Sequence, residues 1–324
     1  MATYLVTGGC GFIGSHLCQE LVDMGHNVRV IDNLSSGSTE RLPKECDIVF
    51  GNVNDMKLIQ EMMEDIDGCY HLAGMTPANN FLNCNELDNI VSSSGLRNVL
   101  YWAKSNQYRD EIPVVYASSA MVYGDNANLH LNENDILRPT NRYSVEKICS
   151  ELDSRVANIQ YGVPAIGLRF FNVYGPHQDM SSPYSKIINL IINQMLIDSA
   201  IHIPGNSKQT SDYIFIDDAT SALFKAMNSN KKTNEIYNVC SGKAIPNDQI
   251  VNTLLSLSGK SLPIIYDLDK TGFINVSIGN NKKIEKELNF KVKTDITEGL
   301  RHTYHSFMKN HSEEVIIYAA GVSS

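Results

Sequence analysis

The chain has 324 residues, 43% of them hydrophobic and 19% charged, enough to bury a large core in one domain or two unequal ones. A formal net charge of −9 excludes a non-specific nucleic-acid binder, whose surface would be basic. Seven cysteines, at 10, 18, 46, 69, 84, 149 and 240, are scattered with no C-x-x-C, a pattern of reduced thiols in a cytoplasmic protein and of no disulfide or metal framework.

Thr3-Tyr-Leu-Val-Thr7 reads as a buried strand that begins almost at once, with no basic and apolar leader before it. Gly8-Gly-Cys-Gly-Phe-Ile-Gly14 follows, then an apolar-periodic helix to about Met24. Strand, glycine turn and helix in this order make a site for a pyrophosphate. The glycines let the main chain come close, and the helix offers free N–H groups at its positive end. The next strand, Asn27–Ile31, closes on Asp32-Asn33. An acid there is placed to hold a ribose 2′-hydroxyl and would repel a 2′-phosphate, and no arginine follows it at the strand end. The reading favours NAD over NADP.

Further strands are expected at Asp47–Phe50, Cys69–Leu72 and Pro113–Ala117, with helices from Asp55, as N-cap, through Glu64 and over roughly Leu87–Ser105. This alternation predicts an α/β fold, a doubly wound parallel sheet of Rossmann type. The fifth strand runs into Ser118-Ser119-Ala-Met-Val-Tyr-Gly124, so hydroxyls lie at a carboxyl strand end, where such sheets bind ligands. Tyr143 and Lys147 then stand four residues apart on a helix expected to reach about Tyr161. That spacing puts both side chains on one face. The neighbouring ammonium is expected to lower the tyrosine pKa and make the phenol a base for a sugar or alcohol hydroxyl. The apolar run Ile187–Ile197 is too short to span a bilayer.

Together these stretches resemble the extended short-chain dehydrogenase/reductase superfamily, and within it the nucleotide-sugar epimerases and dehydratases, nearest the UDP-glucose 4-epimerase type. The resemblance rests on Thr7–Gly14, Asp32–Gly37, His71-Leu-Ala-Gly74, Ala117–Gly124, Tyr143-Ser-Val-Glu-Lys147 and Arg169-Phe-Phe-Asn-Val-Tyr-Gly-Pro176. It is strong to residue 176 and looser to about Leu300.

The resemblance implies that Gly8, Gly11, Phe12, Ile13 and Gly14 hold the NAD pyrophosphate. It places Asp32, Asn33 and Ser36 at the adenosine ribose and Asn52 and Val53 beside the adenine. Leu72, Ala73, Gly74 and Ser118 would line the cofactor pocket. Ser119 matches the catalytic hydroxyl, Tyr143 the base, and Lys147 the residue that holds the nicotinamide ribose. Met121, Asn172, Lys186, Gln209, Lys270 and Ser277 fall on the substrate side. The implied reaction is 4-epimerisation through a transient 4-keto sugar. The alternative is an NAD(H)-dependent dehydrogenase or reductase on a sugar nucleotide or related polyol, with net cofactor turnover.

Some positions depart from the family pattern. Dehydratases carry an Asp-Glu pair after the catalytic hydroxyl, where this chain has Ala120 and Met121, which cannot move protons. Ser92 replaces a cofactor-side asparagine. Ser211 stands where an arginine grips the diphosphate. In Lys270-Thr-Gly-Phe273 a lysine replaces an arginine and Phe273 a ribose-binding acid. A small Ser277 leaves room for a 2-acetamido group. The implied organisation is an NAD-binding domain over 1–175 with returning segments near 209–242, a substrate domain over 176–208 and 243–310, and a tail over 311–324. Helices near 86–105 and 143–161 would pair across a homodimer.

Overall fold

The computed structural model describes residues 1–74, 91–105, 110–126, 128, 130–178, 187–229, 233–268 and 278–321. The first half alternates strand and helix: β1 (Thr3–Thr7), α1 (Phe12–Asp23), β2 (Asn27–Asp32), β3 (Asp47–Phe50), α2 (Met56–Met62), β4 (Gly68–His71), α3 (Val91–Ala103) and β5 (Val114–Ser119). After a short β6 (His130–Leu131) come α4 (Arg142–Tyr161), β7 (Ala165–Phe170) and β8 (Asn172–Tyr174). The remainder is α5 (Ile187–Leu196), β9 (Ile201–Pro204), β10 (Thr210–Ser211), β11 (Tyr213–Phe215), α6 (Ile216–Met227) and β12 (Glu235–Val239). It closes with β13 (Ile245–Pro246), α7 (Asn247–Ser258), β14 (Ile264–Asp267), β15 (Ile278–Gly279), α8 (Lys282–Leu288) and α9 (Ile296–Gly321). The last turns of α9 therefore lie within 311–324.

Seven strands form one parallel sheet in the order β12-β7-β5-β4-β1-β2-β3. Chain order reverses at β1, with β2 on one side and β4 on the other. In sheets of this kind the ligand crevice lies outside the carboxyl ends of the strands at that switch point. Both faces are covered, so interior strands are buried on both sides and do not alternate between core and solvent; β4 and β7 are buried at every position. Side chains still alternate between two cores. Tyr4, Val6, Val30, Tyr70, Val115 and Leu168 face the core built with α1 and α6, which continues into the C-terminal half through Ile188, Ile250 and Phe290. Leu5, Ile31, Cys69, Val114 and Tyr116 face the core built with α2, α3 and α4.

Four small ladders outside the main sheet join distant segments: β8 with β11, β9 with β14 and β6 with β15 in parallel, and β10 with β13 antiparallel. Asp212 locks this region. Its buried carboxylate accepts hydrogen bonds from the Ser241 N–H and hydroxyl (2.8 and 2.6 Å), the Gly242 N–H (2.9 Å) and the Gly279 N–H (3.1 Å).

Most boundaries fall where the sequence places them, with small shifts. Asp55 caps α2 by accepting from the Lys57 and Leu58 N–H groups, but the helix ends at Met62, short of Glu64. β5 runs two residues past Ala117, so both serines lie on the strand itself. The Tyr70 hydroxyl, inside the first core, has no hydrogen-bond partner among the described residues. A buried unpaired hydroxyl costs about 1–3 kcal/mol. Tyr70→Phe should therefore raise the midpoint of thermal unfolding, and a lower midpoint would show that the oxygen is satisfied.

Candidate active site

The crevice is floored by the turn after β1. Gly8 has φ of +72°, and a Cβ there would lie 2.6 Å from the Ala73 nitrogen. A Cβ at Gly14 would collide with the Gly8 carbonyl oxygen, so only glycine lets α1 start this close to the strand. Gly11 is the N-cap of α1; no side chain caps this end and no acid sits in its first turn. An uncapped helix start above a bare glycine turn is what a pyrophosphate needs. Half-buried Phe12 and Ile13 open the helix there.

Asp32 closes β2, nearly buried, with Oδ2 accepting from the Cys10 N–H (3.0 Å) and Oδ1 from the Leu34 N–H (2.8 Å). Each carboxylate oxygen keeps a lone pair for a ribose hydroxyl. Asn33 and Ser36 are exposed in the following loop, Asn33 holding the Ser35 N–H. Asn52 is exposed, with Oδ1 accepting from the Asn54 N–H. Val53 is buried in the second core and its carbonyl accepts from Asn98, so its side chain faces the core and only its main chain is left for an adenine. On the other side of the crevice the Thr7 hydroxyl bonds His71 (2.9 Å) and accepts from the Ala73 N–H (3.3 Å). This fixes Leu72 and Ala73, half-buried, and Gly74, exposed, at the end of β4. The residues present thus fit a dinucleotide.

The residues expected to carry the chemistry gather at β5. Ser119 ends the strand and caps the short 3-10 turn Ala120–Tyr123 by accepting from the Met121 N–H (3.2 Å). The Ser119 hydroxyl neighbours the Tyr143 phenol and draws its pKa down. α4 owes its start to Asn141, which forms a capping box with Ser144. That places Tyr143 in the first turn and Lys147 one turn on. The Lys147 ammonium donates to the Ala117 carbonyl (2.8 Å) and sits 5.5 Å from the Tyr143 ring centroid.

The electrostatics reverse one expectation. Burial pushes the Tyr143 phenol up; the Ser119 hydrogen bond pulls it partly back, and Glu146 pushes it further up. Burial also lowers Lys147 to about 8, against the opposing pull of Glu146 and Glu151. Desolvation is the largest influence on the phenol.

Ser118 departs from its expected place in the cofactor pocket. Its hydroxyl donates to Glu151 Oε1 (2.6 Å) inside the protein. Glu151 is gripped by both arms of Arg169 (2.8 and 2.7 Å). Arg169 also donates to the Tyr123 hydroxyl (2.9 Å), which donates to Asn238 (2.7 Å). This buried chain ties α4, β5, β7 and β12 together next to Ser119. The available signal was Arg169 itself, a charge within the apolar run Ala165–Phe170, because a buried charge must be paired.

On the substrate side, Met121 is half-buried next to Ser119. The Asn172 side chain donates to the Asp212 carbonyl (2.7 Å), and Gln209 folds its amide over Gly205. Ser211 pairs with Ile245 and is hydrogen-bonded to Tyr213, with no basic group at that position. Lys186, Lys270, Phe273 and Ser277 lie outside the described residues, and Ser92 lies where side chains are not described. Among the described residues no group of three His, Cys, Asp or Glu side chains is placed to hold a metal ion.

A family model for the NAD dependent epimerase/dehydratase family matches residues 4–240. A putative UDP-glucose 4-epimerase of Methanocaldococcus jannaschii is 29% identical over 310 residues, 95% of this chain and 99% of that one. A UDP-N-acetyl-alpha-D-glucosaminuronate decarboxylase of Bacillus cytotoxicus is 29% identical over 272 residues, 81% of this chain and 82% of its own. The solved UDP-N-acetylglucosamine 4-epimerase of Methanobrevibacter ruminantium, in complex with UDP-N-acetylmuramic acid, superposes with a TM-score of 0.88 at 28% identity, over 95% of this chain and 99% of that one. With the whole crevice from Gly8 to Arg169 inside the matched segment, the chain belongs to the NAD dependent epimerase/dehydratase family.

Proposed function

We propose that the protein is an NAD-dependent nucleotide-sugar 4-epimerase. The observation that carries this reading is that Ser119 ends β5 while the first turns of α4 bring Tyr143 and Lys147 beside it, Lys147 donating to the Ala117 carbonyl of the same strand and lying 5.5 Å from the Tyr143 ring centroid. Residues 1–175 and 209–242 hold the cofactor, and 176–208 with 243–310 hold the sugar nucleotide. When bound, NAD supplies a reversible acceptor and donor of hydride. Tyr143 as phenolate takes the proton of the sugar 4-hydroxyl, and Ser119 bonds the oxygen left behind. Lys147 keeps positive charge beside both. The 4-keto sugar turns over in the cleft, and Tyr143 returns the proton to the same oxygen. Ala120 and Met121 follow Ser119, so no carboxylate stands there to strip a proton from C5, which separates the site from a dehydratase.

The test is to incubate the purified protein with UDP-, GDP- and CDP-sugars, without added cofactor, and follow the products by NMR. Interconversion at C4 with no net change in NADH absorbance is expected. Stoichiometric NADH would favour a dehydrogenase. Loss of carbon dioxide from a uronate would favour the decarboxylase relative's chemistry.

The working form is a homodimer. α4 turns Val145, Leu152 (56% exposed), Val156 and Ile159 (72% exposed) outward at helical spacing, beside its contact with α3. A second copy would bury this stripe. Leu152→Glu should convert a dimer to a monomer by light scattering; an unchanged mass would place the interface elsewhere. All described cysteines are free thiols, which fits a reducing cytoplasm. Among the described residues no helix is long and apolar enough to cross a membrane.

A further inference from the structure

Three segments meet beside the amino end of α1, away from Ser119, Tyr143 and Lys147. An Arg41 guanidinium N–H donates to the carbonyl oxygen of His177, a contact between residues 136 apart in sequence. The His177 ring lies 6.0 Å from the His16 ring, centroid to centroid. His16 stands one turn into α1, donating through Nδ1 to the Phe12 carbonyl (2.9 Å) with the Phe12 ring edge-on at 5.4 Å.

The two ends of this contact are anchored differently. Arg41 hangs from the loop that begins at Asp32. That loop is pinned to the glycine turn: the Ser38 N–H donates to the Cys10 carbonyl (3.1 Å), and a Cβ at Gly37 would come within 2.6 Å of the same oxygen. His177 follows β8, on the segment leading into the substrate half. Its φ of +62° is a left-handed conformation that a side chain other than glycine adopts only when its surroundings impose it. The surroundings on hand are the Arg41 bond to its carbonyl and the His16 ring against its own. Burial keeps both imidazoles below their ordinary pKa, and the Arg41 charge lowers them further. They are neutral at pH 7 and do not repel the guanidinium.

We propose that Arg41 is a positioning residue that latches the cofactor loop to the segment after β8 and thereby sets how long NAD stays bound. This rests on the cofactor assignment above. A dinucleotide held at Asp32 by its ribose and at Phe12–Gly14 by its pyrophosphate lies alongside this latch. The chemical step does not call for Arg41, but an epimerase that returns its hydride gains from a cofactor that does not leave between turnovers.

The test loads wild type and Arg41→Ala with NAD, dilutes both into cofactor-free buffer, and measures released NAD by ultrafiltration. Arg41→Ala should release NAD about tenfold faster, the loss of one charge-assisted hydrogen bond. Arg41→Lys, which keeps a charge and a donor, should fall between. Cofactor-free Arg41→Ala should melt with cofactor-free wild type. Release at the wild-type rate would overturn the proposal, as would a cofactor-free variant destabilised enough to account for its faster release. Failure of wild type itself to retain NAD would sink the cofactor assignment, and does so without reference to the variant.

Discussion

Tyr143→Phe should lower kcat by about 10²–10⁴-fold, the range for losing a general base, while the protein keeps its NAD. The ring stays, with its packing against Lys147 at 5.5 Å. Only the phenol oxygen is removed. Because the proposed reaction has that oxygen act on the reacting proton, the loss should appear in kcat, with KM for the sugar nucleotide little changed. Turnover followed by NMR and NAD content measured on the denatured protein read the two quantities apart. Wild-type turnover in the variant would remove Tyr143 from the reaction.

Lys147→Met should abolish useful turnover and stabilise the cofactor-free protein at neutral pH. Lys147 is 6% exposed, and burial lowers its ammonium from the ordinary 10.5 to about 8. A tenfold weaker hold on the proton corresponds to about 1.4 kcal/mol, so keeping this charge in the fold costs about 3 kcal/mol at pH 7. Methionine removes that cost but leaves the Ala117 carbonyl without its donor, which gives back about 1 kcal/mol. A net gain of about 1–2 kcal/mol is expected. The pH dependence has a definite sign. Below pH 8 the lysine is charged in both folded and unfolded chains, and the whole penalty is present. Between pH 8 and 10.5 the folded lysine is neutral while the unfolded one still binds its proton. Wild-type stability therefore rises relative to the variant across that window. Urea unfolding of the cofactor-free proteins at pH 7 and pH 10 measures this. A variant less stable at pH 7, or a difference that does not shrink with pH, would show that the ammonium is not strained by burial. A side chain that acts in the site while weakening the fold is a familiar compromise between activity and stability.

Much of this architecture is legible in the chain because the signals are local. The Gly8–Gly14 turn needs only neighbours within one strand and one helix to declare itself, and Asp55 and Asn141 are caps whose partners lie within three residues. Tyr143 and Lys147 are brought together by helix geometry alone. What escaped depends on contacts across the fold. Ser118 reads as a cofactor contact until Glu151, 33 residues away, takes its hydroxyl. The grip of Arg169 on Glu151 joins a strand to a helix. The direction in which the Tyr143 pKa moves also escaped. Spacing shows the cation one turn away, but only packing shows that desolvation dominates at the phenol.

The last strand to join the main sheet, β12, lies beside β7, and the chain supplies it only after α5, β9, β10 and β11. Helix α6, which packs on α1, arrives on the same late pass. Amputation at the apparent border near 175 would therefore strip β7 of a neighbour and bare its row of N–H and C=O groups, a template for intermolecular pairing. Split reporters, minimal cofactor-binding fragments or chimeras cut from this scaffold must carry 209–242 along with 1–175, or they will clump rather than fold.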